Sequence, residues 1–303
     1  MNIDPQDFKI EYQTIDKVRS VIIAGYKGGL GDISIPSIIN NLPVTAIGEF
    51  AFKGSPGLRS VAFPESLTVI GDYAFERCTA LSNLVFPEGL SAIKRSAFAG
   101  CGGLKTVAFP KSLETIGEGA FSGCIGLTGV DIPAGLAELG ERAFDGCGRL
   151  TEFRVDDENQ QFSSVGGVLF DRNGSTLIWY PKGRQDGSYS VPEQTAYIGD
   201  WAFEGCRGLK SIPLPKRLIS IGNYAFAGCG IMDIRFPSGL TVIKKHAFYR
   251  CARLTKLILP QSLASLGQYA FGDCSNLETV TLSRQTKIGN GAFYGAPVQL
   301  TYH

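Results

Sequence analysis

The chain has 303 residues, of which 44% are hydrophobic and 19% charged, with 29 basic and 28 acidic side chains. This is the composition of an ordinary folded chain, which excludes a disordered or collagen-like polymer. The net charge of +1 gives no global reason to expect nucleic acid or a membrane surface as partner, and no apolar run approaches the roughly 18 residues of a spanning helix.

In chain order, the opening MNIDPQDFKIEY has neither the basic start nor the apolar stretch of a secretory signal. Residues 1–46 are expected to form an N-terminal cap, with VRSVIIAGY (18–26) as an edge strand and DISIPSIINNLPVTAIG (32–48) carrying a first strand closed by Pro36. From there the sequence repeats. An apolar residue stands four positions before each Ala-Phe pair, at Ile47, Ile70, Ile93, Ile116 and Leu139, with a spacing of 23 residues. A break follows. GGVLFDRNGSTLIWYPKG (166–183) has two apolar runs around Asp171-Arg172-Asn173-Gly174-Ser175, a β-hairpin signal. Residues 156–187 are therefore read as one atypical repeat with a hairpin in place of its turn. The register resumes at Ile198, Ile221, Ile243, Leu266 and Ile288, the step from Ile221 to Ile243 being 22 residues because GCGIMDIRFP is one residue short. The chain is read as one domain: the cap, repeats over 47–155, the atypical segment, and repeats with a C-terminal cap over 188–303.

One complete unit is IGDYAFERCTALSNLVFPEGLSA (70–92). Its L-x-x-V-x-F-P part alternates and is ended by a proline that cannot donate to a ladder, so it predicts a short strand with one buried face. IGDYAFERC is too short for an independent helix and predicts one or two helical turns with Ala74 and Phe75 inward. A 23-residue unit cannot bury its apolar residues alone; stacked on its neighbours, about 4.8 Å apart, it places equivalent residues in ladders. The Phe ladder runs through Phe52, Phe75, Phe98, Phe121 and Phe144, then Phe203, Phe226, Phe248, Phe271 and Phe293. The glycine after the first Ile (Gly48, Gly71, Gly117, Gly140) marks a positive φ or a close approach of backbone; Lys94 and Lys244 take its place twice.

This unit resembles a leucine-rich repeat of the bacterial BspA-like (Treponema pallidum) type, with C-x-x-L-x-x-V-x-F-P-x-x-L-x-x-I-G-x-x-A-F repeated about ten times between Gly31 and His303. The resemblance implies a right-handed α/β solenoid, with a parallel sheet on one face and short helical turns on the other. It also implies a non-enzymatic scaffold, secreted or cell-surface, that binds host or neighbouring-cell proteins in adhesion.

All eight cysteines, Cys78 to Cys274, end an A-F-x-x-C word. No C-x-x-C spacing or accompanying histidine points to zinc or redox chemistry. Stacking distance alone does not exclude disulfides, but side chains pointing the same way from equivalent sites do not suit the ~90° torsion. Ser55 and Ala296 share the position, so the reading is an inert ladder of small buried side chains. His246 falls in a row with Phe50, Tyr73, Trp201, Tyr224 and Tyr269, as a half-buried contact rather than a catalytic base. No nucleophile elbow, zincin or phosphate loop is present, and no metal or cofactor is called for. VDDENQQF (155–162) lacks the spacing of a calcium loop.

The candidate working surface is the outward side of the strands, where L-x-x-V-x-F leaves three residues facing away from the core. Its polar members are Arg59, Asn83, Lys105, Asp131, Glu152 and Arg154, then, beyond the insertion, Lys210, Asp233, Arg235, Lys256 and Glu278. Mixed signs suit protein ligands, with glycans as the alternative, bound on the aromatic row or the hairpin. An enzyme would need a cleft of convergent titratable groups, most plausibly near 156–187.

Overall fold

The computed structural model describes residues 5–29 and 31–303; residues 1–4 and Leu30 of the expected cap lie outside the described residues. The chain divides into two compact units, Met1–Gln161 and Phe162–His303.

In the first unit, the ladder of apolar residues read from the 23-residue spacing is a hydrogen-bonded register. Ile47 pairs with Ile70, Ile70 with Ile93, Ile93 with Ile116 and Ile116 with Leu139, all in parallel. Each of these residues belongs to a two-residue strand such as Val69–Ile70, and the row is one continuous sheet. The strands expected from V-x-F-P also form, but as separate pairs. Asp32–Ser34 pairs with Ser60–Ala62, Asn83–Val85 with Thr106–Ala108, and Gly129–Ile132 with Glu152–Val155. Each turn thus carries two strands, where the sequence suggested one.

The expected helical turns are not helices: among the described residues the helical segment is a single 3-10 turn at Pro5–Asp7. The reason lies in where the backbone donors point. In AFERC, the Phe75 and Arg77 N–H groups donate to Ala97 and Ala99 of the next turn, at 2.7 Å each. The intervening Ala74, Glu76 and Cys78 N–H groups donate three residues back, to Gly71, Tyr73 and Phe75. Every donor is satisfied, and the alternation demands left-handed backbone at Tyr73 (φ 55°) and Arg77 (φ 61°), which breaks any helix. The glycine after Ile serves close approach, not positive φ: a Cβ on Gly71 would stand 2.8 Å from the Ile47 carbonyl oxygen.

Phe rings fill the interior. Phe75 stacks on Phe98 at 5.1 Å and Phe98 on Phe121 at 5.3 Å, and the sheet-side Phe86 and Phe109 meet this ladder edge-on. The cap corrects one expectation. Val18–Tyr26 is not the edge, because it pairs in parallel with Leu42–Ile47; the edge is an antiparallel partner, Phe8–Ile15. Asp16 (φ 48°) and Lys17 (φ 68°) make the two-residue turn between them, the conformation that hairpin turns require.

The second unit opens with Phe162–Val165, Val168–Asp171 and Thr176–Trp179 in antiparallel succession. The expected hairpin around 171–175 is present. A further hairpin precedes it, turning on Gly166 (φ 57°) and Gly167 (φ 81°). Thr176–Trp179 then starts a parallel row in which Leu177, Ile198, Ile221, Ile243, Leu266 and Ile288 are successive partners. On the other side, Lys256–Ile258, Thr279–Leu282 and Gln299–Tyr302 form a parallel sheet, and Ser188, Ser211 and Asp233 are joined only by isolated bridges.

All eight cysteines are buried and free. Seven have a polar duty that their reading as plain apolar side chains did not include: each thiol donates to the carbonyl of the preceding Phe-ladder residue, Cys78 to Phe52 at 3.2 Å and Cys101 to Phe75 at 3.1 Å. Burial pushes the Cys78 thiol from 9.0 up to about 11 and Cys274 up to about 12. These values are raised on folding, so the thiols contribute stability below about pH 9, and that contribution is lost as pH rises through about 11 to 12. Denaturant titrations across pH should show a plateau below pH 9 and a decline above it. An aromatic disulfide reagent should count no reactive thiols in the native chain and eight after denaturation; paired thiols would contradict the ladder.

Candidate functional site

The outward residues of the strands face solvent. In the first unit Arg59, Asn83, Lys105, Asp131 and Arg154 are exposed and Glu152 is half-buried. Their charges are largely spent on one another. Arg59 Nη2 lies 3.0 Å from Asp32 Oδ2, and Ser60 Oγ donates to Asp32 Oδ1 at 2.8 Å. The Ser60 and Arg59 hydrogen bonds hold the Asp32 carboxyl below its usual range. Arg154 Nη2 donates to Asp131 Oδ2 at 3.2 Å and Arg154 Nη1 pairs with Glu152, which raises the guanidinium further. The strand pairs leave shallow cavities where the ladder is interrupted; one of about 400 Å³, between Ser60–Ala62 and Asn83–Val85, includes Val85, 75% exposed.

In the second unit Lys210, Asp233, Arg235, Lys256 and Glu278 are all exposed, and among the described residues none has an oppositely charged partner within 4.0 Å. The segment Met232–Phe236 belongs to a turn that is one residue short. It is bridged at Asp233 to Ser211 but makes no backbone hydrogen bond to Thr255–Ile258. A cavity of about 370 Å³ lies at this gap, lined by Asp233, Arg235, Phe236, Lys256 and Ile258. A second, of about 390 Å³, lies on the other side of Arg235, against Pro213 and Leu214.

The aromatic row does not offer an open stacking surface. Trp201 and Tyr224 stack at 4.0 Å, Tyr224 and His246 at 4.5 Å, and His246 and Tyr269 at 5.3 Å, so the rings cover one another's faces and present edges. Every member sits at the positive-φ position before Ala-Phe, between 52° at Tyr269 and 62° at Trp201, a position Gly119 and Gly291 also occupy. Burial and the nearby Lys245 charge push the His246 imidazole below its ordinary 6.5. Its titration, followed by NMR, should fall below that value; a midpoint above it would contradict this packing.

Titratable groups near the hairpins are tied into the structure. Asp186 accepts from Arg184 Nε at 2.6 Å and from the Tyr180 hydroxyl at 3.0 Å, and Arg184 keeps that carboxyl low. Asp171 accepts from Ser175 Oγ at 2.6 Å and Thr176 N at 2.9 Å. VDDENQQF is a closing loop held by buried Asn159, whose amide donates to Pro133 and Leu136 carbonyls. Among the described residues no three His, Cys, Asp or Glu side chains converge as a metal-binding group, and no helix is long and apolar enough to cross a membrane.

The family model for the BspA type leucine rich repeat region matches residues 45–171 and 187–299, in six copies. The chain belongs to this family. Its structure is similar to that of the pneumococcal vaccine antigen PcpA, with a TM-score of 0.78 at 23% identity over 98% of this chain and 87% of that one. It is also similar to a leucine rich cell surface protein of Faecalibacterium prausnitzii (0.66, 25% identity, 97% and 93% of the two chains). A third similar structure is the leucine rich repeat protein of T. pallidum (0.52, 29%, 76% and 90%). No curated protein matches the sequence significantly. The BspA-type scaffold accounts for the ladders, which recur from turn to turn, and leaves the outward residues as the part that differs between turns.

One signal was overlooked in the sequence. The chain-wide charge of +1 conceals an asymmetry: residues 1–161 hold fourteen basic and twenty acidic side chains, residues 162–303 fifteen and eight. Splitting the count at the interruption of the 23-residue rule reveals it.

Proposed function

We propose that the chain is a non-enzymatic bacterial cell-surface or secreted scaffold that binds protein ligands through the outward strand residues of its two units. The observation that supports this most is the contrast between the two sides of each turn. Inward positions repeat as Leu, Val, Phe, Ala and Cys and are buried, while the outward ones vary from Arg59 and Asn83 to Asp233 and Lys256 and are exposed. Surface location is supported by the likeness to a cell surface protein. A binding surface of this kind works by a few central contacts within a wider complementary patch.

Selection of a displayed polypeptide library against the immobilised full chain tests the reading. Binders are expected to weaken on charge reversal at outward strand positions, Lys105→Glu in one unit or Lys256→Glu in the other, and not on Lys94→Glu on the turn side. Binders indifferent to every outward strand substitution would refute it.

A further inference from the structure

The two units use their outward charges differently. In the first, Arg59 is matched by Asp32 and Arg154 by Asp131 and Glu152, and of the named outward cations Lys105 alone has no carboxylate within 4.0 Å among the described residues. In the second, Lys210, Arg235 and Lys256 are exposed with no carboxylate within 4.0 Å among the described residues, as are Arg207 and Arg253 in the loops leading into the same segments. Only Asp233 and Glu278 oppose them on these strands. Exposed apolar side chains lie between the cations: Met232 is 54% exposed and Ile258 57%. The two cavities flanking Arg235 have apolar walls at Phe236 and Ile258 on one side and Pro213 and Leu214 on the other, and Asp233 borders both.

We infer that the strand face of the second unit, centred on Arg235, docks an extended acidic polypeptide segment carrying apolar side chains. The inference rests on the proposed function and narrows it to one unit and one ligand chemistry. Cations left without internal partners favour an anionic partner through steering and complementarity. Charge alone would suit a polysulfated glycan or a nucleic acid equally. The interleaved Met232 and Ile258, with cavities large enough for side chains, would bury nothing of a polysulfated glycan or of a duplex phosphate backbone, but they match a peptide that presents carboxylates and leucine or tyrosine side chains on the same face. An extended peptide places every second side chain on one face at a spacing of about 6.6–6.8 Å, so a face that carries apolar and acidic side chains in turn can fill the cavities with the first and reach Lys210, Arg235 and Lys256 with the second.

The test uses the full chain and a fluorescein-labelled peptide of repeating glutamate-serine-leucine-serine, which puts glutamate and leucine on one face when extended, read by anisotropy. The peptide is expected to bind, and to weaken as salt is raised through the range where the screening length shortens from about 10 Å to 3 Å. The double variant Arg235→Glu/Lys256→Glu should lose at least about tenfold in affinity, and Lys94→Glu should bind as the parent does. Ile258→Asn should weaken the peptide and leave binding of heparin, the polyanion control, unchanged. Absence of peptide binding, or binding unaffected by the double variant, overturns the inference. So does heparin or single-stranded DNA binding more tightly than the peptide with no effect of Ile258→Asn. Library binders that still map to outward strand positions would in those cases leave the proposed function standing.

Discussion

Replacing Phe121 by alanine is expected to destabilise the folded chain by about 3–5 kcal/mol. The ring is fully buried, stacked on Phe98 at 5.3 Å and Phe144 at 5.4 Å, with Phe109 edge-on at 5.5 Å. Truncation removes the transfer free energy of the ring and leaves a cavity that cannot collapse, because the turns above and below are fixed by backbone bonds. Phe98 N donates to Ala120 O at 2.8 Å and Phe121 N to Ala143 O at 2.7 Å. In a stack of turns, stability is a sum of unit and neighbour terms, so one missing ring weakens two interfaces. Denaturant unfolding of the parent and variant measures this. A loss below about 1 kcal/mol would show that the Phe ladder does not hold the turns together.

Gly230→Ala is expected to be the most damaging of the small changes. This glycine lies in a turn that is one residue short, its N–H donates to Cys206 O, and an added Cβ would collide with the carbonyl group of Arg207. The obstacle is backbone from the neighbouring turn and not a side chain that can swing away, so the cost should reach or exceed the 1–3 kcal/mol typical of overpacking. Gly208→Ala is the internal control. It has the same chemistry one turn earlier, where a Cβ would meet nothing within 4 Å, and it should stay within about 0.5 kcal/mol of the parent. Thermal denaturation of the pair decides: equal midpoints would contradict the close stacking at the short turn.

The particular residues show where the sequence was readable. Register was legible because a 23-residue period admits one stacking, and Ile47, Ile70 and Ile93 are indeed partners. Inward and outward positions were legible because V-x-F alternation has one physical reading. The second strand of each turn was not, since two residues such as Val69–Ile70 carry no periodicity of their own. The helical turn was misassigned because A-F-x-x-C fits one helical face. Nothing in the spacing discloses that alternate N–H groups serve the next turn, although the frequent glycine before cysteine, with φ near 70° at Gly100 and Gly123, is a trace of it. The first hairpin has its own signal, Gly166-Gly167, which the single hairpin expected around 171–175 does not use. Of the candidate site, the outward residues were legible as a surface. Their pairing was not, because Arg154 meeting Asp131 and Arg235 meeting no acid depend on neighbouring turns and not on the repeat itself.

The most direct measurement is hydrogen exchange of the full chain with and without the glutamate–leucine peptide. Slowed exchange is expected, confined to the outward segments 210–214, 232–236 and 255–258, with the turn segments 201–205, 224–228 and 246–250 unchanged. Protection centred on those turn segments, or spread over the acidic first unit, would contradict it.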